Sequence, residues 1–344
     1  MTTRARVIVL ERDFGVMKIR EVALPEPGPR QVLLQVYSAG VGHAQLHQVL
    51  NPEADLPLLG TEASGRVKTV GAAVTRVQPG DFVVVSPFAA DDVRGAPESV
   101  IVELDDETST PPSALFTFAT DAIVDERFVF PLPTPADKDG AAVVGETIRS
   151  GVAAVLAAGV APGHSVAVFG LGGVGLAAIV AARISGASPI IGVDRNEARR
   201  TLAAQLGATE TIAGSPEAAN ARIRELCPEG VDYLFDSLYE YRAKKRPGRA
   251  AVTVGGSAIA LGTPGTTAMH AERDAVASDS GYAAPAAPND ASMATIGGWI
   301  ERGQFSPTTI LTKRYTIEAV NEAIRDLENG DTVGQVAITM EPLA

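Results

Sequence analysis

A single cysteine, Cys227, in 344 residues excludes an internal disulfide and any zinc site built from several thiolates. It reads as a buried or surface thiol before it reads as a nucleophile. Positive charge is also short: 29 Lys and Arg against 41 Asp and Glu leave a net charge of −12, which repels nucleic acid and anionic membranes. Neither is an expected partner. No apolar run approaches the ~20 residues of a membrane-spanning helix. Met1-Thr2-Thr3-Arg4-Ala5-Arg6 passes directly into strand-like Val7-Ile8-Val9-Leu10, too short for a secretion signal and without a small-residue cleavage site. A cytoplasmic protein is expected. The hydrophobic fraction of 46% and charged fraction of 20% describe an ordinary globular chain, long enough for about two cores.

One dense stretch stands against these absences. Ser165-Val166-Ala167-Val168-Phe169 is a buried strand that drives into Gly170-Leu171-Gly172-Gly173-Val174-Gly175 and an alanine-rich helix. The G-x-G-x-x-G pattern suits a dinucleotide. Gly170 permits the tight exit, Gly172 lets backbone N–H groups approach a pyrophosphate at the helix N-terminus, and Gly175 lets helix and sheet pack closely. A second strand, Pro189-Ile190-Ile191-Gly192-Val193, ends in Asp194, roughly 20 residues on, where a carboxylate accepts hydrogen bonds from the adenine-ribose hydroxyls.

The surrounding pattern changes once along the chain. Residues 1–90 hold short β-branched runs between turn residues, such as Gln31–Tyr37, Gly65–Gly71 and Asp81–Val85, with a turn at Pro79-Gly80-Asp81, which predicts an antiparallel β-barrel-like domain. Residues 88–112, rich in acid, proline and small side chains, read as a surface excursion. From Ala141, helix and strand patterns alternate: helix near Ser150–Ala158, strand 165–169, helix 173–186, strand 189–193, helix 196–206, and strands Val231–Asp236 and Ala250–Val254. Such alternation builds a parallel sheet covered on both faces. The basic stretch 243–249 reads as a solvated loop. A helix near Ile317–Asn329 and a strand at Gly334–Thr339 return to the first domain.

In this order, the features resemble the medium-chain dehydrogenase/reductase superfamily, near its aryl-alcohol dehydrogenase branch. The carriers are Pro25-Glu26-Pro27-Gly28-Pro29, Ala39-Gly40-Val41-Gly42-His43, Gly60-Thr61-Glu62-Ala63-Ser64-Gly65, Val77-Gln78-Pro79-Gly80-Asp81, Phe118–Val124, and Gly170 to Gly175 with Gly192-Val193-Asp194. The resemblance implies a GroES-like β-barrel catalytic domain over 1–146, a Rossmann doubly wound parallel sheet over 147–282, and a return to the catalytic domain over 283–344. It also implies an NAD(P) cofactor, a small-molecule substrate and a homodimer joined by edge strands of the cofactor domains.

The departures bear on chemistry. Where zinc-using relatives carry cysteine, histidine and cysteine ligands, this sequence has Gly42, Thr61 and Glu146, with Glu62 beside Thr61. Two carboxylates remain where catalytic zinc takes about three ligands drawn mainly from His, Cys and carboxylate, and Thr is a poor substitute, so no zinc is expected there. Nor is structural zinc expected, because the matching lobe at 88–112 holds no cysteine. The resemblance places His43 at the cofactor pyrophosphate, where a donor makes a charge-assisted bond. It places His47 at the proton relay, although the connecting hydroxyl is replaced by Ala44. Arg199 matches a ribose contact, and Gly334 stands where relatives carry an arginine.

Asp194 favours NAD(H) over NADP(H), because a 2′-phosphate at ~4 Å would be repelled by about 4 kcal/mol at an effective dielectric of ~20. Arg195, swinging over, would favour the phosphate instead. Val254-Gly255-Gly256 is expected at a strand end beside the nicotinamide.

Without a metal to stabilise alkoxide, simple alcohol oxidation loses its main electrostatic aid. Hydride transfer to a polarised C=C, C=N or C=O needs only hydrogen-bond donors and a proton source. Glu62 and Glu146 would share a proton, with Thr61 and Ser150 as hydroxyl donors beside them. Alternatively Glu62 pairs with an arginine such as Arg149 and Glu146 caps its helix. An alcohol or aldehyde dehydrogenase with an atypical metal site, and a redox-neutral cyclase, lyase or isomerase, remain open. The substrate itself is not legible in the loops near 47–57, 86–118 and 270–290.

Overall fold

The computed structural model describes residues 3–11, 15–50, 58–104, 106, 108–133, 137–238, 251–261, 283 and 287–340. The basic stretch 243–249 and most of 270–286 lie outside them. The chain divides into two compact units, one formed by Met1–Glu146 with Asn289–Ala344 and the other by Thr147–Pro288.

The first unit opens on β1 (Thr3–Glu11) and β2 (Val16–Leu24), an antiparallel pair in register from Thr3 opposite Leu24 to Glu11 opposite Val16. There follow β3 (Gln31–Val41), α1 (His43–Leu50), β4 (Ala63–Val70), β5 (Phe82–Val85), β6 (Asp121–Asp125), β7 (Val129–Pro131) and the short α2 (Lys138–Ala141). β5 is Phe-Val-Val-Val and buried throughout, whereas β4 alternates toward its outer end, as a strand does when one face meets solvent. Side-chain hydrogen bonds tie down the start of the excursion at 88–112. Fully buried Asp125 accepts from the Glu98 amide at 2.6 Å and pairs with Arg127 at 2.9 Å, and Arg127 donates to the Gly95 carbonyl at 2.9 Å.

The second unit runs α3 (Arg149–Ala157), β8 (Val166–Phe169), α4 (Gly173–Ile184), β9 (Ile190–Val193), α5 (Glu197–Leu206), β10 (Glu210–Ile212), α6 (Pro216–Leu226), β11 (Val231–Asp236) and β12 (Val252–Ala260). Its sheet is parallel, in the order β10-β9-β8-β11-β12. Helix α4 is buried at nearly every position, including Leu176 to Ala182, because it packs on the sheet and against α3. Sequence signals set the helix starts: Asn196 caps α5 by accepting from the Arg199 amide, and Ser215 caps α6 with Pro216 following.

The sheet register corrects one expectation. Val231 lies opposite Val252, but Tyr233 lies opposite Ser257 and Asp236 opposite Ala260, so residues 253–256 form a bulge at the entry of β12. β8 pairs with β11 from Val166 opposite Tyr233 to Phe169 opposite Asp236. The end of the sheet where Phe169 leads into Gly170 is therefore level with Ala260, and Leu261 N–H donates to the Asp236 carbonyl there at 2.7 Å. Val254 stands at the opposite end. It is not level with the glycine turn at Gly170; Ala260 and Leu261 are.

The chain then returns to the first unit as α7 (Asp290–Glu301), β13 (Leu311–Thr316), α8 (Val320–Asn329) and β14 (Gln335–Thr339). Val320, Ala323, Ile324 and Leu327 make the buried stripe of α8. β14 is inserted in the larger sheet, whose order is β13-β14-β3-β4-β5-β7 with β6 also on β3. The β13–β14 pair is parallel and the others are antiparallel. No helix among the described residues is long and apolar enough to cross a membrane.

Candidate active site

Two groups of site residues are assembled, one in each unit. In the second unit, Gly170 leaves β8 at φ 82°, and Gly172 is the N-cap of α4 with nothing within 4 Å of where a side chain would begin. That open space lies where backbone N–H groups of the helix start face outward, the arrangement that receives a pyrophosphate. Gly175 is required by packing, because a Cβ there would lie 1.9 Å from the Gly170 carbonyl. Leu171 is buried and its N–H donates to Asp194 Oδ2 at 2.8 Å, while the Asn196 N–H donates to Oδ1 at 2.8 Å. Asp194 therefore ties the glycine loop to the β9 turn, and each of its oxygens keeps a lone pair for a ribose hydroxyl.

Arg199 Nη1 lies 3.9 Å from Asp194 Oδ2, and Arg195 is exposed beside it. Arg200 was not legible as part of this group. It donates to the carbonyls of Asp194 and Arg195 at 2.9 Å each, bracing the turn that presents the carboxylate.

In the first unit, Glu62 and Glu146 come together as a buried acidic pair, each only 2% exposed. Glu146 sits in a single π-helical turn, Val144–Ile148, a geometry frequent at functional sites. Its main chain is pinned twice: Ser86 Oγ donates to the preceding Gly145 carbonyl at 2.5 Å, and the Glu146 N–H donates to Glu62 Oε2 at 2.9 Å. Gln335 Nε2, from β14, donates to Glu62 Oε1 at 3.4 Å. Glu62 fits only because residue 40 of β3 has no side chain, since a Cβ on Gly40 would lie 2.4 Å from Glu62 Oε1.

Thr61 donates its hydroxyl to Glu146 Oε2 in a short hydrogen bond. Gln45, buried in α1, donates from Nε2 to Thr61 Oγ1 at 3.0 Å and accepts the Gly42 N–H on Oε1 at 3.0 Å. Glu146 Oε1 is buried with no hydrogen-bond partner among the described residues. Burial, and then the neighbouring Glu62 carboxylate, push the Glu146 pKa up to about 8, with the Thr61 hydrogen bond opposing. The pocket thus favours the protonated form of Glu146 well above the usual carboxylate range. Glu146 does not cap α3, whose N-cap has no side-chain hydrogen bond.

The other expected residues are placed separately. His43 is exposed at the start of α1 and His47 half-buried one turn later. Ser150 lies in α3 of the second unit, buried, with its Oγ unpartnered among the described residues.

The donor set around Glu146 does not fit a zinc ion. Gly42 contributes no ligand atom, the Thr61 hydroxyl is engaged with Glu146 Oε2, and both Glu62 oxygens take N–H donors. Among the described residues no three of His, Cys, Asp and Glu converge as metal ligands would. Sequence reading found Glu62, Thr61 and Glu146 but missed Gln45, Gln335 and Ser86. Lone amides and a serine carry no spacing signal.

Residues 28–134 match the family model for the alcohol dehydrogenase GroES-like domain. Residues 173–278 match that for zinc-binding dehydrogenases. The chain is 24% identical to geraniol dehydrogenase of Carpoglyphus lactis and 27% identical to geraniol dehydrogenase of Castellaniella defragrans, in each case over 97% of both chains. The solved benzyl alcohol dehydrogenase from Acinetobacter calcoaceticus shares the fold, with a TM-score of 0.79 and 23% identity over 98% of this chain and 100% of that one. Both halves of the pattern are thus matched, and the glycine loop is built on β8 and α4. The chain belongs to the medium-chain dehydrogenase/reductase family and is an NAD(P)-dependent oxidoreductase.

Proposed function

We propose that this enzyme is a zinc-independent reductase that uses NAD(P)H to deliver hydride to a polarised C=C, C=N or C=O acceptor, with Glu146 as the proton donor. The observation that carries this reading is the buried Glu62–Glu146 pair, where burial and the neighbouring carboxylate push the Glu146 pKa up to about 8. A neutral carboxylic acid is what an acceptor needs as negative charge develops on its heteroatom. Burial first, and then the Glu62 carboxylate with its two N–H donors, raise the Glu146 pKa. When bound, the nicotinamide supplies the hydride. Backbone N–H groups at Gly172–Val174 orient its pyrophosphate and Asp194 its ribose, which favours NADH over NADPH. His43 and Arg199 add phosphate and ribose contacts. Ser150 offers a further hydroxyl donor, and His47 exchanges the proton with solvent.

The relatives named for geraniol and benzyl alcohol act on oxygen attached next to a π system. A conjugated aldehyde, enone or iminium is the corresponding acceptor class here. A homodimer in a reducing cytoplasm accords with the edge strand of the cofactor sheet and the lone cysteine.

The test is NADH oxidation against a panel of enals, enones, cyclic imines and quinones, using protein purified without chelator and assayed for metal. Expected are one NADH consumed per acceptor reduced, well under one zinc per chain, and a kcat loss of about 10²–10⁴-fold in Glu146→Gln. Stoichiometric zinc, or turnover with no change in nicotinamide absorbance, would overturn the reading.

A further inference from the structure

The hydrogen bonds that lead into Glu146 start from a fixed end at Gly42. A backbone N–H can only donate, so the Gln45 side chain must present its oxygen to Gly42 and its NH₂ group to Thr61. The flipped amide would set two donors against each other. Thr61 Oγ1, already accepting from Gln45, turns its own proton onto Glu146 Oε2. With Oε2 taken as the acceptor of that hydrogen bond, the acid proton is assigned to the other oxygen, Oε1.

We propose that Gln45 is a positioning residue that, through Thr61, holds the Glu146 proton on Oε1, the one oxygen of the acid left without a partner among the described residues. This rests on the reading of Glu146 as proton donor. The consequence is stereochemical: the proton leaves from a single, defined oxygen. It passes to the acceptor heteroatom as the carbon gains hydride from the reduced nicotinamide, and Glu146 is left as a carboxylate. Without Gln45 the Thr61 hydroxyl is free to rotate, and the acid proton is shared between the two oxygens. Gln45→Glu goes further, because a carboxylate at that position accepts from Thr61 and so turns the hydroxyl away from Glu146.

Infrared difference spectroscopy of the full chain at pH 6 tests this without any substrate. The wild type minus Glu146→Gln spectrum is expected to show one carboxylic-acid C=O band. Thr61→Val, nearly isosteric, and Gln45→Leu are expected to shift that band to higher frequency, because the acid carbonyl loses its donor. With a turned-over acceptor, Gln45→Leu is expected to lower kcat about tenfold with KM little changed, a loss smaller than that for removing the acid itself. An acid band at the same frequency in wild type, Thr61→Val and Gln45→Leu overturns the positioning role while leaving the donor reading intact. Absence of any acid band in the wild type overturns both.

Discussion

The raised pKa of Glu146 carries a thermodynamic cost that pH can expose. Its folded pKa is raised from an ordinary 4.5 to about 8, by burial first and by Glu62 second. The folded state therefore binds more protons than the unfolded chain across that interval. Stability is greatest below pH 4.5 as far as this group is concerned and is lost as pH rises towards 8, by at most about 1.4 kcal/mol per unit. Urea melts at pH 5, 7 and 9 should show this slope in the wild type and its loss in Glu146→Gln. Gly40→Ala should act on the same pair from the other side. Its Cβ would drive into Glu62, destabilising the fold by about 1–3 kcal/mol in a denaturant titration. Glu62, Thr61 and Glu146 were legible because they fall on motif positions. Gln45 and Gln335 act through which strand and helix turn they occupy, and no single sequence displays that register.

Elements decide whether the dinucleotide loop can form. Helix α4 approaches β8 so closely that Gly175→Ala would push a methyl into the Gly170 carbonyl. The variant should lose NADH binding by fluorescence titration and about 1–3 kcal/mol of stability. This loop was readable because its glycines answer local requirements, a positive φ and a close approach. β12 was not. Val252–Val254 and Ser257–Ala260 are two short apolar runs around Gly255-Gly256, and either would serve as a strand end. The choice falls to pairing with β11, where Asp236 lies opposite Ala260. Deleting the bulge glycines would shift that pairing, whereas truncating Val254 to Ala should leave NADH affinity within about twofold, since it lies at the far end of the sheet.

For the whole molecule, a cofactor that binds only the folded chain adds stability by mass action, about 2.7 kcal/mol at one hundred times its dissociation constant. With Asp194 as the ribose carboxylate, NADH should raise the melting temperature more than NADPH at equal concentration. The reverse order in a thermal-shift titration would show that Arg195 or Arg199 receives a 2′-phosphate. The acidic balance, with its net charge of −12, predicts no retention on heparin or DNA resins at physiological salt, checked by elution position. The two-part plan was visible as a change of hydrophobic period near Ala141. The insertion of β14 between β13 and β3 was not, because a strand's neighbours depend on the finished sheet.

That insertion links the site to the order of synthesis. Gln335 on β14 reaches Glu62 from 273 positions downstream, so a chain that has not yet added β14 to the sheet lacks one of the two N–H donors to that carboxylate.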